Sequence, residues 1–133
     1  MRRAIAARMH AAPIDLIGKD TLKQFLALAR RATLVLSPDS GPMHMSNAVG
    51  TPVLGLHAAS NPKRSGPYSS IDWCVDRYDA AARRFRGVPA AALPWGTKLE
   101  HEGVMSLIET EAVTATLDRF MAARGGAQAP ATR

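Results

Sequence analysis

Thr33-Leu34-Val35-Leu36-Ser37-Pro38-Asp39-Ser40-Gly41-Pro42-Met43-His44 is the stretch from which the rest of the chain can be read. The apolar run 33–36 predicts a buried strand. Met43 to Val49 predicts a short helix that stops at Gly50, a residue suited to a helix C-terminus. The segment between them, Pro38 to His44, therefore lies where a strand ends and a helix begins. Gly41 has no Cβ and lets a ligand approach closely. Pro42 suits the first helical position, where its missing N–H costs nothing. The next amides, at Met43 and His44, are expected to be open at the positive end of the helix dipole. That arrangement favours an anion, most naturally a phosphate. Asp39 and His44 flank it with an acid and a titratable donor. The alternative is an ordinary turn in which Asp39 or Ser40 merely caps the helix.

Upstream, Ile14-Asp15-Leu16-Ile17 predicts a short strand closed by Gly18. Asp20 or Thr21 can cap the helix that follows. There Leu22, Phe25, Leu26 and Ala29 recur at i, i+3, i+4 and i+7. Pro13 ends a weak Ala- and Arg-rich helix expected over 2–11. Downstream, Pro52-Val53-Leu54-Gly55-Leu56 is apolar throughout, as a strand covered on both faces should be. Residues 57–70 read as a polar loop, and a loop of that length in a compact domain is usually functional or disordered. Ile71 to Val75 predicts a fourth strand. Residues 79–103 read as irregular and hold Arg83, Arg84 and Arg86. Val104, Leu107, Ile108, Val113, Leu117 and Phe120 predict one or two closing helices. Residues 1–124 form the expected partial domain, and 125–133 a flexible tail.

Strands alternating with helices predict an α/β fold with a parallel sheet. Ligands of such sheets sit at the carboxyl ends of strands. That rule gathers Gly18-Lys19-Asp20, Asp39 to His44 and His57 to Tyr68 on one edge, and it favours the phosphate reading over simple capping.

Composition sets the outer bounds. The chain has 133 residues, 47% hydrophobic and 21% charged, a globular rather than disordered balance. Its 17 Lys and Arg against 11 Asp and Glu give a net charge of +6, which favours anionic partners. The single cysteine, Cys74, excludes an internal disulfide and reads as a small packing residue. No signal peptide or membrane span is legible, so a cytoplasmic location is expected, with peripheral attachment to the inner membrane as a variant. No metal-carboxylate pair and no Ser-His-Asp or Cys-His arrangement is argued by spacing. His10, His57 and His101 read as surface or packing residues, with His57 the exception to watch because it ends a strand. Trp73 and Trp95 are expected to pack. No aromatic stacking motif supports a nucleic-acid partner.

Residues 14–68 resemble the heptosyltransferase family of glycosyltransferases, which build the inner core of lipopolysaccharide from ADP-heptose. The resemblance rests on Asp39, Ser40, Gly41 and His44, followed by a small-residue helix, Gly50-x-Pro52 and an apolar strand. Asp15-Leu16-x-Gly18-Lys19 and Asn61-Pro62…Gly66-Pro67-Tyr68 also fit. It implies the later part of the C-terminal, Rossmann-like donor-binding half of a two-domain enzyme. The opening strands of that half, a family Glu that helps hold the nucleoside, the acceptor side and the catalytic base are then expected to lie before Met1. No catalytic residue is assigned within the chain.

By the same resemblance, Ser40 and Gly41 meet the donor diphosphate and Asp39 the sugar or its own loop. His44 positions the phosphate, and Lys19 borders the nucleotide. Asp20, Asn47, Lys63 and Arg64 are secondary candidates. The implied ligand is a nucleotide-sugar, ADP-heptose, with no cofactor and no metal. The implied acceptor is the lipopolysaccharide core, reached through the missing domain. Exposed sheet edge makes self-association of the chain an expected consequence. A non-catalytic nucleotide- or phosphate-binding module, or a truncated remnant, is the alternative.

Overall fold

The computed structural model describes residues 6–126. Residues 2–5 of the helix expected over 2–11 and most of the expected tail lie outside that range, and residues 7–11 form turns and coil rather than the expected helix. The architecture is α/β. A three-stranded parallel sheet has the order β1 (Val35–Pro38), β2 (Val53–His57), β3 (Val75–Asp76). Val35 pairs with Val53 and Pro38 with Leu56, while Leu56 pairs with Val75 and His57 with Asp76. The three strands thus run their carboxyl ends to one edge.

α1 (Leu22–Arg31) starts in a capping box. The Gln24 amide donates to the Thr21 hydroxyl, and the Gln24 side chain accepts from the Thr21 amide. Its apolar stripe ends on buried Ala29, whose carbonyl accepts from the Thr51 hydroxyl at 2.6 Å. α2 (Gly41–Ala48) joins β1 to β2 and closes on Gly50 at φ +83°, a conformation that glycine reaches without strain. β2 is covered on both faces: Val53, Leu54, Gly55 and His57 are all buried.

After β2 come a single helical turn, α3 (Pro62–Ser65), and a 3₁₀ segment, Tyr68–Trp73. The Val53 amide donates to Ser70 Oγ, tying this segment to the head of β2. α4 (Tyr78–Arg86) and the turns near Ala90–Ala92 and Val104–Leu107 then build a core around Ala58, Tyr78, Ala81, Ala82, Leu99 and Val104. α5 (Thr110–Gly126) buries Thr116 and Phe120 on one face. Phe120 meets Trp73 edge-to-face at 5.4 Å.

The structure corrects several sequence expectations. Residues 14–17 form no strand: Ile14 is 88% and Ile17 68% exposed. The Ile17 amide is taken by the Asp15 side chain and the Lys19 amide by the Leu16 carbonyl, so this segment closes into local turns. Ile71–Trp73 is 3₁₀ rather than strand, leaving only Val75–Asp76 in the sheet. Residues 78–86 are helical. Tyr78, Ala81, Ala82 and Phe85 recur at i, i+3, i+4 and i+7 and face the core, and Asp79 with Arg83 adds an i,i+4 pair at 2.7 Å. α5 also continues through Gly125 and Gly126, past the expected start of the tail.

Candidate functional site

The site is built on the turn between β1 and α2. Ser40 takes the N-cap position in extended geometry, and Pro42 sits in the first helical turn after Gly41. Ser40 does not cap with its side chain. Its hydroxyl donates to the Pro38 carbonyl at 3.1 Å and lies 3.0 Å from Ser37 Oγ. The Met43 and His44 amides both donate to the Ser40 carbonyl, at 3.1 and 3.3 Å, so the two amides expected to be open are engaged. Among the described residues the amides without a partner at this helix start are those of Ser40 and Gly41. A helix leaves its first N–H groups unsatisfied for geometric reasons, and Pro42 has none to offer. The unpaired amides therefore stand at positions 40 and 41, ahead of the expected 43 and 44.

Asp39 does not cap the helix either. Its Oδ1 lies 3.2 Å from His44 Nε2, and its Oδ2 accepts from Ser65 Oγ at 2.6 Å. Helical side chains lean toward the N-terminus. The His44 ring accordingly reaches back over the turn, and it stays half exposed. Burial raises the Asp39 pKa, but hydrogen bonds from Ser65, Ser60 and His44 and the nearby His57 outweigh it. Asp39 is held below its ordinary 3.8 and is ionised at neutral pH.

Behind Asp39 lies a cavity of about 170 Å³ between the carboxyl ends of β1 and β2. Pro38 and Asp39 line one side, Leu56 and Ser60 another, and Lys98 and Glu100 close it. His57 is fully buried beside it. Its Nδ1 lies 3.2 Å from Ser60 Oγ, and its Nε2 has no partner among the described residues. Burial lowers the His57 pKa against the pull of Asp39 and Asp76, which keeps the ring neutral. Gly55 makes room for that ring: a Cβ there would stand 3.1 Å from His57 Nε2 and 2.9 Å from Cys74 Sγ. Burial likewise pushes the Cys74 thiol up to about 11, away from nucleophile chemistry.

A family model for glycosyltransferase family 9 (heptosyltransferase) matches residues 1–102. The chain belongs to that family. It is 43% identical over 116 residues to the lipopolysaccharide core heptosyltransferase OpsX of Haemophilus influenzae, covering 87% of this chain and 33% of the relative. It is 30% identical over 69 residues to lipooligosaccharide heptosyltransferase 2 of the same organism, covering 52% of this chain and 20% of that relative. The heptosyltransferase chain in hand thus spans about a third or less of the length of these relatives. No solved structure gives a significant match.

The sequence-predicted residues fall into two groups in this heptosyltransferase fold. Asp39, Ser40, Gly41 and His44 share one turn. Lys19 and Asp20 do not reach it: Lys19 Nζ donates to the Asp15 carbonyl, and Asp20 lines a groove with Val35, at the amino end of β1. Asn47 accepts from the Ser69 amide at 3.2 Å, at the far end of α2. Lys63 and Arg64 ride on α3, which touches the site through Ser65. Arg64 packs against Gly96, where a Cβ would meet its Nε at 2.9 Å. Lys63 faces a separate cavity with Trp95. Sequence reasoning missed Ser60, Ser65, Lys98 and Glu100. Ser60 and Ser65 lie in the 57–68 segment that the strand-end rule brings to this edge, whereas Lys98 and Glu100 reach the cavity only through the tertiary fold. Trp95, expected to pack, is 73% exposed, whereas Trp73 packs as expected and His101 stacks on Phe85 at 4.8 Å. Among the described residues there is no cluster able to hold a metal ion and no helix long and apolar enough to cross a membrane.

Proposed function

We propose that this chain carries the donor-diphosphate site of a heptosyltransferase that moves heptose from ADP-heptose to the lipopolysaccharide core. The observation that carries the proposal is the pair of open amides at Ser40 and Gly41, set between Asp39 and His44 at the carboxyl edge of the sheet. As the sugar–phosphate bond breaks, negative charge grows on the leaving diphosphate. Amides already aimed there stabilise it without reorganising. Asp39 cannot face the phosphate directly. Its carboxylate orients His44 on one oxygen and is fixed by Ser65 on the other, which leaves it to order the loop and to accept sugar hydroxyls. His44 offers its second ring nitrogen to the phosphate when the ring is protonated. Lys98 supplies a cation at the cavity wall.

Acceptor and catalytic base belong, in this reading, to the remainder of a longer protein that acts in the cytoplasm or at the inner membrane surface. The alternative is a nucleotide- or phosphate-binding module without transferase activity, and the 33% coverage of the longer relative favours it for the chain taken alone. Calorimetric titration with ADP and with adenosine tests the phosphate assignment. ADP is expected to bind and adenosine not. Equal binding of the two would remove the diphosphate from the site.

A further inference from the structure

A second cavity, of about 550 Å³, opens where the chain leaves β2 and β3. Its polar wall carries Asn61, Lys63 and Asp76, and its apolar wall carries Ala90, Leu93 and Trp95. The wall is held rigidly from several sides. Tyr78 is buried, and its hydroxyl donates to the Thr97 carbonyl at 2.7 Å. The Ala90 amide donates to Asp79 Oδ1 at 2.8 Å. Arg64 lies against Gly96, whose φ of +89° turns the chain just after Trp95. Yet Trp95, on this anchored loop, leaves 73% of its surface in solvent. An indole is a large apolar surface that proteins ordinarily bury, and here the fold spends several tertiary contacts on presenting one.

The polar groups opposite have free valences. Among the described residues the Lys63 ammonium, the Asn61 amide nitrogen and the Trp95 indole N–H have no partner. Asp76 uses one oxygen on the Tyr78 amide and keeps the other. A flat apolar platform facing an amide, an ammonium and a carboxylate matches one ligand chemistry closely. A pyranose ring has an apolar C–H face for the indole and equatorial hydroxyls that both donate and accept. Asp76 takes hydroxyl protons, and Lys63 and Asn61 donate to hydroxyl oxygens. We infer that this cavity is a pyranose-binding subsite, separate from the donor-diphosphate turn and independent of that assignment.

The full chain, labelled with ¹⁵N, is titrated with methyl α-D-mannopyranoside, methyl α-D-glucopyranoside and methyl β-D-galactopyranoside into the tens of millimolar. Adenosine and ADP serve as controls. At least one pyranoside is expected to shift the Trp95 indole and the Lys63 and Ala91 amides saturably, with the millimolar affinity usual for so small a ligand. ADP is expected to leave these signals in place, so that failure here is distinct from failure at Ser40 and Gly41. Trp95→Ala removes an exposed side chain and is expected to keep the melting temperature while weakening binding about tenfold or more. Lys63→Met provides a second variant on the polar wall and is expected to weaken binding as well. Three outcomes would overturn the inference: no pyranoside shifts Trp95, adenosine saturates it instead, or both variants bind the sugar like the parent chain.

Discussion

His44 and His57 stand on either side of Asp39 and are predicted to behave in opposite ways. His44 is half exposed and reaches the Asp39 carboxylate from the helix start. In a full-length transferase, His44→Ala should lower kcat by about 10- to 1000-fold if the ring serves the charge that grows on the leaving group. If it binds ground and transition states equally, only the donor KM should rise. The melting temperature should hold in either case. Steady-state kinetics with a thermal melt checks this, and unchanged kinetics would take His44 out of the site. His57 is buried, and its folded pKa lies below its ordinary 6.5. A lowered pKa stabilises the fold above the unfolded value, and that contribution is lost as pH falls through the folded pKa. Asp39 adds a loss of the same sign at lower pH, below 3.8. Thermal melts should therefore show stability dropping below about pH 6.5 in the parent chain. In His57→Gln the drop should be delayed until the carboxylates titrate. Parallel melting curves for the two proteins would contradict the assignment.

Among the elements, β1, α2 and β2 were the legible ones. An apolar run, a Gly-Pro turn and a second apolar run leave few alternatives in an α/β chain; the fold places α2 and β2 within a residue of expectation and shifts β1 two residues later, to Val35–Pro38. The helix start was read to the right turn but with the wrong amides, because the Ser40 carbonyl takes the Met43 and His44 N–H groups. Ile14 to Ile17 failed as a strand for a different reason. Its composition suits a strand, but a strand needs a partner edge, and the Asp15 side chain offers the backbone a local one. α4 was missed although Tyr78, Ala81, Ala82 and Phe85 recur at helical spacing, because two of the four are small alanines set among arginines and the stripe reads as weakly apolar; the Ala90 amide on Asp79 then ties the helix to the loop that follows. β1 pairs only with β2 among the described residues, and Leu36 on it is 56% exposed. An open edge of this kind invites pairing with another chain. The isolated chain should self-associate at high concentration, and Leu36→Lys should shift it toward monomer in size-exclusion chromatography. A monomer at every concentration would argue that the edge is already shielded.

For the whole molecule, the chain belongs to a heptosyltransferase family but spans only 33% of the length of the OpsX relative. Transfer requires donor, acceptor and base to be held together. The purified 133-residue chain is accordingly expected to show no sugar transfer to a lipopolysaccharide core acceptor, while retaining weak affinity for the donor. Turnover by this chain alone would show that it holds an acceptor site and a base that the account places elsewhere. The proposal of a diphosphate on the amides of Ser40 and Gly41 can be tested without turnover. Amide chemical-shift mapping with ADP tests it most directly. Ser40, Gly41 and His44 are expected to move together and to saturate at one affinity. If these three stay in place while another region responds, the donor site lies elsewhere on the molecule.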